Sequence, residues 1–488
     1  MHPRPLERLA MCVVAAVATV LNVLLKLPCT LPTPEGVVRG AFVSRYGCWS
    51  DVAALWGSRD LAGHVFPYVT GSELGNGTVE YPTLTGVWVW LTALPVGSAH
   101  GFLLVTGVVA VVLAVTVTLL LVRVAGRRAW LWAATPPLAL YAVYNWDLLA
   151  VVCSVVGLVV VVRPPSSWST TTRYAVAGAA FGLGGAFKLY PLMFLAPLVI
   201  AALLDRDAEL GTRVRRTAAA LGSGVGVVLA ANLPFVLVNL PGWLSVFTFQ
   251  ASRPIGASTM SVWYYGLLPW STDLDGPIQQ TMGAMSTVAT ALGIVAVLVV
   301  TVVLALRRGT TPWVQSAAAL LAVYMVCNKV ASPQYVLWLL PFLVVLRVGG
   351  WWIAAYLVAD VCAVVGFFRN TYYQAIGVGT DTWAYQAMTA GIWGRAALLV
   401  ALVVVFLRTP VVTRPVRGLS ERTGTDRPGT SGPAPAEPTD ADRVASGEHV
   451  AAGERVASTD RVASTDRALS TDQVVSGDGR SGAADPTA

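Results

Sequence analysis

The residues of this sequence that could do chemistry are charged, polar and aromatic side chains that interrupt long apolar runs. Carboxylates can bind hydroxyl groups or accept a proton, lysine and arginine can bind phosphate, and aromatic rings can stack on sugar faces. Lysine occurs only three times, and two of the three, Lys188 and Lys329, lie deep in the chain within apolar stretches. The candidates for binding or catalysis are Asp51, Glu80, Tyr81, Asp147, Lys188, Tyr190, Arg253, Tyr264, Lys329, Gln334 and Arg369.

The sequence contains no recognisable motif for binding a metal or a cofactor. The six cysteines form no CxxC pair, and no carboxylate pair or histidine cluster has ligand spacing. Cys12, Cys153 and Cys362 lie in apolar runs, as small core residues do. Cys29 and Cys48 lie in a polar segment where a disulfide could persist, and this pairing stays open here. The sequence therefore predicts no metal and no cofactor.

The composition is that of a membrane protein. Of the 488 residues, 55% are hydrophobic and only 12% are charged, and the mean hydropathy is +0.65. Apolar stretches long enough to cross a bilayer recur along most of the chain. The net charge of +7 comes from arginines that separate these stretches, as topology signals do, so nucleic-acid binding is not expected. The predicted fold class is an all-α polytopic membrane protein.

The arginine clusters predict how the chain crosses the bilayer. If all of them face the cytoplasm, an even number of crossings separates each from the next. Three intervening stretches are long for one crossing and short for two full ones, so each is predicted to be a pair of short helices. The pairs are interrupted by polar segments at 145–147, 188–191 and 328–334, which would turn at the outer surface. The clusters contain Arg123, Arg127, Arg128, Arg163, Arg173, Arg206, Arg213, Arg215, Arg216, Arg307, Arg308, Arg347, Arg408, Arg414 and Arg417.

The remaining apolar segments complete about twelve crossings, with both termini cytoplasmic. The first, 9–27, is read as a retained anchor because no convincing cleavage site follows it; a signal peptide is the alternative. A first exterior loop follows at 28–100, in which 83–95 is too short to cross and is predicted to be interfacial or re-entrant. The other predicted spans are 101–122, 217–239, 284–306, 351–368 and 388–407.

The composition changes abruptly after residue 407. The sequence RVASTD begins at Arg455 and again at Arg461, and RALSTD begins at Arg467. A polar low-complexity segment of this kind buries too little apolar surface to fold alone. The predicted organisation is a membrane domain at 1–410 and a disordered cytoplasmic tail at 411–488.

The predicted topology collects the candidate residues on the outer face. An enzyme that uses a cytoplasmic sugar nucleotide would need a soluble domain with a phosphate-cradling glycine loop, and the sequence has none. Both substrates would therefore reach the site from the membrane or the exterior. Acidic, cationic and aromatic side chains on one surface then favour a lipid-linked sugar donor.

The order of the motifs CWSD, VEYPTLTG, NWDLLAV, FKLYPLMFLAPL, NLP, SVWYYGL and NKVASPQYVLWLLP resembles glycosyltransferase family 87. This family belongs to the GT-C membrane glycosyltransferases and includes polyprenyl-phosphate-mannose-dependent α-mannosyltransferases of actinobacterial cell envelopes. The resemblance covers about 9–407, and the hexad tail has no counterpart in the family. It implies a GT-C-type helical bundle in the plasma membrane whose first exterior loop is catalytic.

The resemblance also implies roles for particular residues. Asp51, in CWSD, matches the acidic residue near the start of the catalytic loop and would accept a proton from the acceptor hydroxyl. The polyprenyl phosphate would leave without needing a proton, with its charge stabilised by Lys188, Lys329 and Arg253. The reaction would be an inverting hexosyl transfer from a polyprenyl-phosphate sugar to a glycolipid or glycan acceptor. Mannose is the sugar that the family suggests.

Several residues have alternative interpretations. Glu80 or Asp60 could replace Asp51 as the base, and Asp147 could cap the helix that follows it. Lys188 and Lys329 could extend their ammonium groups to the lipid headgroups.

The aromatic run at 263–265, which includes Tyr264, could belong to an interfacial belt.

The alternative function is a transporter or lipid flippase, which about twelve spans permit. Transporters usually contain internal repeats and bind substrate near the bilayer midplane. The two halves of this sequence show no convincing repeat, and its charged residues gather at helix ends, which favours the transferase.

Overall fold

The computed structural model describes residues 3–75, 77–267, 276–379 and 381–412. The tail predicted at 411–488 lies outside the described residues apart from its first two positions. A parallel two-stranded pairing joins β1 (Glu73–Leu74) to β2 (Gly77–Thr78), and the rest of the regular structure is helical. The helices are α1 (Pro5–Lys26), α2 (Arg39–Tyr46), α3 (Asp51–Ser58), α4 (Thr83–Ala93), α5 (Ala99–Ala125), α6 (Trp130–Ala133), α7 (Pro136–Tyr141), α8 (Asp147–Val162), α9 (Thr170–Phe187), α10 (Leu195–Leu203), α11 (Leu210–Val238), α12 (Leu240–Ser252), α13 (Val262–Leu267), α14 (Pro277–Arg308), α15 (Trp313–Cys327), α16 (Val336–Val345), α17 (Gly350–Ala375) and α18 (Trp383–Arg408).

Within the described residues, six helical segments are long and apolar enough to cross a membrane. Their outward faces carry large apolar side chains, such as Leu292 on α14, which is 65% exposed. A surface of this kind is unfavourable in water and suits a lipid environment. The all-α polytopic membrane fold is therefore confirmed. The six segments are Pro5–Thr30, Ala99–Ala133, Leu210–Val238, Pro277–Arg308, Gly350–Ala375 and Trp383–Arg408.

The three predicted interruptions are present, each with helices on both sides. The helices are interrupted between α7 and α8, between α9 and α10, and between α15 and α16, at the polar segments that the sequence indicated. A short 3₁₀ segment opens the second member of two pairs, at Tyr190–Phe194 and Pro333–Tyr335. Whether these short helices bring the number of crossings to about twelve remains a prediction.

Small residues bring α9 and α11 close together. A Cβ atom added to Gly178 would lie 2.1 Å from the carbonyl oxygen of Ala220, and one added to Gly182 would lie 2.4 Å from that of Gly224. Glycine spaced four residues apart is the usual way for membrane helices to bring their backbones into contact. The close packing fixes the end of α9, which leads directly to Lys188.

The helix α4 forms as predicted and supports the same region. Its residue Thr85 donates a hydrogen bond of 2.6 Å to the carbonyl oxygen of Phe187, the last residue of α9. Val89 of α4 is fully buried. The segment 83–95 is therefore packed into the helical bundle, while its interfacial or re-entrant position remains a prediction.

Arg128 stabilises the carboxyl end of α16. Its guanidinium donates hydrogen bonds to the carbonyl oxygens of Leu343 at 2.8 Å, Leu346 at 3.0 Å and Val344 at 3.1 Å. The last carbonyls of a helix have no partner within the helix and carry partial negative charge, so a cation is favourable there. One arginine of the predicted cytoplasmic clusters thus also terminates a helix.

Candidate active site

Asp51 begins α3 and lies half-buried in the wall of a cavity. Its Oδ1 accepts a hydrogen bond from the indole of Trp49 at 3.0 Å, and its Oδ2 accepts one from the hydroxyl of Tyr81. Desolvation raises the pKa of Asp51 above its usual value and outweighs the opposing effects of the two donors and of Lys188. The result is an oriented carboxylate with a raised pKa.

The segment before α3 is held by the turn between α7 and α8. The amide of Asp51 donates to the carbonyl oxygen of Tyr144 at 2.8 Å, and the hydroxyl of Ser50 donates to that of Val143 at 2.5 Å. The fully buried Asn22 of α1 in turn accepts a hydrogen bond of 2.8 Å from the amide of Val143. A polar residue inside the first apolar helix thus fixes the position of Asp51 through this turn.

A lysine and a disulfide hold the same segment from the other side. Lys26, at the end of α1, is buried and donates to the carbonyl oxygen of Gly47 at 3.0 Å. Its ammonium also lies 5.3 Å from the ring centroid of Tyr144, close enough for a cation–π interaction. The pairing that the sequence left open is present, with Cys29 and Cys48 joined and their Cα atoms 5.5 Å apart.

Lys188 forms an ion pair with Oδ1 of Asp147. Its ammonium is also 5.3 Å from the ring of Trp338, 5.6 Å from that of Tyr81 and 6.0 Å from that of Tyr335. Lys188 lines the cavity, whereas Asp147 is 1% exposed and lies behind it. The lysine therefore faces the cavity with a charge that is partly compensated from behind.

Glu80 and Tyr81 belong to the loop that lies across from Asp51. The carboxylate of Glu80 accepts two hydrogen bonds from Arg59, at 2.8 and 3.1 Å. This bidentate pair neutralises Glu80 and leaves it poorly suited to act as a base. Asp60, the other alternative, is exposed and does not line the cavity.

Lys329 is engaged with the end of α12. Its ammonium donates to the carbonyl oxygens of Ala251 and Arg253, both at 2.9 Å. Burial, and then the charge of Arg253, lower the pKa of Lys329. Among the residues that the structure describes, no carboxylate is paired with Arg253. Arg253 therefore lines the cavity as an unneutralised cation, and Lys329 fixes the backbone beneath it.

Tyr190 and Gln334 complete the polar wall. The ring of Tyr190 stacks on Trp338 with centroids 4.3 Å apart, and its hydroxyl accepts a hydrogen bond of 3.2 Å from Ser154. Gln334 is 3% exposed, and its Oε1 has no hydrogen-bond partner in the described part of the chain. A buried amide oxygen that lacks a partner in a cavity wall is suited to accept a hydrogen bond from a ligand.

Two predicted site residues lie elsewhere. Tyr264, on α13, packs against Tyr265 with ring centroids 5.0 Å apart. Arg369, on α17, lies with its guanidinium 5.8 Å from the ring of Tyr372. Neither residue lines the cavity that contains Asp51.

The cavity has a volume of about 1440 Å³, larger than the usual pocket for one small molecule. Asp51, Lys188 and Arg253 mark its polar side. Helices α12, α14 and α15 add apolar residues to the lining, beside hydroxyl and amide groups of the same helices; the apolar residues include Val246, Phe247, Ala291 and Ile294. The cavity can therefore accommodate a charged group and an apolar group together. No cluster of three potential metal ligands occurs among the described residues.

Sequence reasoning did not assign roles to Asn22 and Lys26, although both support the segment that leads to Asp51. The available signal was their polarity, because an uncompensated polar group in an apolar helix is unfavourable and usually has a specific partner. Their hydrogen-bond partners are Gly47, Ala139 and Val143. These residues come close to Asn22 and Lys26 only in the folded chain.

Comparison with known proteins gives no family assignment. No protein-family model and no curated protein matches the chain. Among solved structures, the oligosaccharyltransferase AglB from Archaeoglobus fulgidus, in complex with an inhibitory peptide and a dolichol-phosphate, matches with 12% identity and a TM-score of 0.32. The match covers 82% of this chain, which spans half the length of that protein. A likeness this weak supports no statement about chemistry, so the resemblance to family 87 rests on the motifs alone.

Proposed function

We propose that this protein is an integral-membrane, inverting glycosyltransferase that uses a polyprenyl-phosphate sugar as its donor. The observation that carries the proposal is Asp51, an oriented carboxylate in the wall of a large cavity whose lining also includes the cationic side chains of Lys188 and Arg253. A base and a phosphate-binding group on one cavity wall are what such a transfer requires.

The reaction begins with the acceptor hydroxyl next to Asp51. As its oxygen forms a bond to the anomeric carbon, Asp51 takes the hydroxyl proton. The bond between the anomeric carbon and the phosphate oxygen breaks on the opposite side, and its electron pair leaves with the polyprenyl phosphate. The configuration at the anomeric carbon is inverted, and the raised pKa of Asp51 favours this proton transfer.

Arg253, Lys188 and Lys329 make different contacts, so we assign them different roles. Arg253 has no carboxylate partner among the described residues and can bind the donor phosphate directly. Lys188 shares its charge with Asp147, so it contributes a weaker positive charge at the cavity surface. Lys329 supports Arg253 through the end of α12. Arg253 and Lys188 are therefore assigned to the leaving phosphate.

The apolar residues of the cavity lining suit the polyprenyl chain. These residues belong to α12, α14 and α15, and α14 is a long apolar helix that is mostly exposed, as a lipid-facing helix would be. The Cys29–Cys48 bond supports an active site that faces outward, because disulfides persist in oxidising compartments. Mannose as the sugar and a cell-envelope glycolipid or glycan as the acceptor follow from the family resemblance.

The test is sugar transfer by the purified protein in lipid nanodiscs. Labelled polyprenyl-phosphate mannose is supplied together with a membrane extract that contains acceptors. We expect Asp51→Asn to lower the transfer rate by about 10²- to 10⁴-fold, the usual contribution of a general base. Asp60→Asn is the matched control, because Asp60 is exposed on the same loop and asparagine tolerates its positive φ of 49°.

Full activity of Asp51→Asn would remove Asp51 from the mechanism. The same donor reconstituted in vesicles separates the transferase from a flippase. Movement of labelled lipid between leaflets without transfer to any acceptor would contradict the proposed function.

A further inference from the structure

A buried ion pair lies within the membrane-spanning helices, away from Asp51. Asp360 of α17 and Arg395 of α18 are 1% and 6% exposed, and the guanidinium nitrogen Nη1 lies 3.0 Å from Oδ1. The other carboxylate oxygen accepts a hydrogen bond of 2.7 Å from the hydroxyl of Tyr141. Neither charged residue lines the large cavity.

Packing alone does not account for this pair. Ionisable groups inside a membrane protein are costly and are rarely kept without a role. A buried ion pair can often be replaced by apolar residues of similar volume without loss of stability. A role for the pair must therefore come from the other contacts of Arg395, those made by its Nη2 group.

The Nη2 group of Arg395 reaches two loops that come from distant parts of the chain. It donates to the carbonyl oxygen of Ala331 at 3.3 Å and to that of Met260 at 3.4 Å. The amide of Ala331 also donates to the carbonyl oxygen of Thr259 at 2.8 Å. Met260 has a φ of +48°, which is uncommon for a residue other than glycine and requires support from its surroundings.

Both loops carry residues of the large cavity. Ser258 precedes Met260, and Lys329 and Ser332 flank Ala331, and all three line the cavity wall. Lys329 is in turn bonded to the end of α12 below Arg253. A continuous set of contacts therefore leads from Asp360 to the cation assigned to the leaving phosphate.

We propose that Arg395 is a positioning residue for sugar transfer. Anchored by Asp360, it holds the loops at 257–261 and 328–332 against one another, so that Lys329 and Arg253 stand at the cavity wall. This inference rests on the proposed function for its catalytic consequence. Its structural part, the fixing of two loops, is independent of that function.

The decisive variant replaces both charges, Asp360→Leu together with Arg395→Met. It leaves no unpaired charge in the helices, so the variant is expected to fold, while Met260 and Ala331 lose their common donor. We expect hydrogen exchange at the amide of Ala331 to become about tenfold faster, and the Kd for a polyprenyl phosphate bound in nanodiscs to rise about tenfold, as for loss of a charge-assisted contact. Exchange within α17 and α18 is expected to stay unchanged.

Tyr141→Phe is the matched control. It removes a hydrogen bond from the same carboxylate, and the hydroxyl of Tyr141 forms no hydrogen bond with either loop, so the loop exchange and the polyprenyl phosphate affinity should both stay at the wild-type values. If the double variant fails to fold, the same exchange and affinity measurements are made on Arg395→Lys and test the proposal. Lysine keeps the charge beside Asp360 but lacks the planar fork that reaches both loops, so the same two changes are expected at smaller size.

Wild-type loop exchange in the folded variants would overturn the proposal. So would faster loop exchange with an unchanged affinity for polyprenyl phosphate. If the wild-type protein transfers no sugar in any assay, the proposed function fails, whereas the exchange and affinity measurements still decide whether Arg395 positions the loops.

Discussion

Asp51 has an unusual pair of neighbours for a carboxylate that is proposed to accept a proton. The indole of Trp49 and the hydroxyl of Tyr81 donate to different oxygens and so fix the orientation of the group. Both hydrogen bonds stabilise the charged form, while desolvation disfavours it and dominates. The balance sets the pH range in which the base is available.

This balance predicts the pH dependence of transfer. In the proposed mechanism Asp51 must be deprotonated to act, so activity is expected to fall as the pH drops through its pKa, which is raised. Tyr81→Phe removes a donor to the charged form, raises the pKa further and should move the acid limb of kcat/KM to higher pH. The measurement is a pH profile of sugar transfer.

Trp49→Phe provides a second comparison, because it removes the donor to the other oxygen and should shift the limb in the same direction. An acid limb that stays in place in both variants, or moves to lower pH, would contradict this account of Asp51.

The ion pair between Lys188 and Asp147 predicts a stability effect of its own. Lys188→Met leaves the carboxylate of Asp147 buried without its partner, which should cost about 3–5 kcal/mol and lower the thermal stability measured in detergent. Lys188→Met combined with Asp147→Leu removes both charges and should recover most of the stability. Because the cavity still lacks its lysine, transfer should not recover.

Helical elements were the part of the fold that the sequence predicted best. The three turns at 145–147, 188–191 and 328–334 interrupt apolar runs with polar residues, and parity between arginine clusters then required paired helices. The supports of Asp51 were harder to predict. Asn22 and Lys26 act through contacts with residues far along the chain, and a single sequence contains no signal for such pairings.

At the level of helix packing, the contact between α9 and α11 gives a sharp prediction. Gly182→Ala places a methyl group 2.4 Å from a backbone oxygen, so the helices must separate. We expect a loss of about 1–3 kcal/mol, as for overpacking, seen as a lower thermal unfolding temperature. Gly226→Ala on α11 meets no atom within 4 Å and should be neutral or slightly stabilising. Equal stability of the two variants would contradict the close packing.

For the whole molecule, the cavity could be predicted only in part. Eight of the eleven candidate residues line it, Asp147 lies behind Lys188, and Tyr264 and Arg369 lie outside it. The sequence placed polar residues at helix ends, but it could not show which ends meet. It also gave no sign that Asp360 and Arg395 pair, because each appears as a lone charge in a separate apolar run.

The proposed orientation of the membrane domain can be tested through the disulfide. On intact cells warmed enough to open the loop transiently, a reductant that does not cross the membrane should reduce the buried Cys29–Cys48 bond, which thiol labelling and gel mobility would report. Closing a loop of 19 residues is worth about 3 kcal/mol, so reduction should also lower the thermal stability. The free cysteine Cys153 is the control, because it lies within α8 and should remain unlabelled. If Cys29 and Cys48 are already reduced in intact cells and react with the label only after the cells are opened, the site lies on the cytoplasmic face, where thiols are kept reduced.

The covalent link between Cys29 and Cys48 ends three residues before Asp51. On the proposed orientation, a newly made chain reaches oxidising conditions only after this segment has been translocated, because cytosolic thiols are kept reduced. Maturation of the catalytic loop is then tied to membrane insertion. A chain whose insertion stalls lacks the disulfide in this loop. On this proposal, the fully folded protein forms only on the side of the membrane where the lipid-linked donor is available.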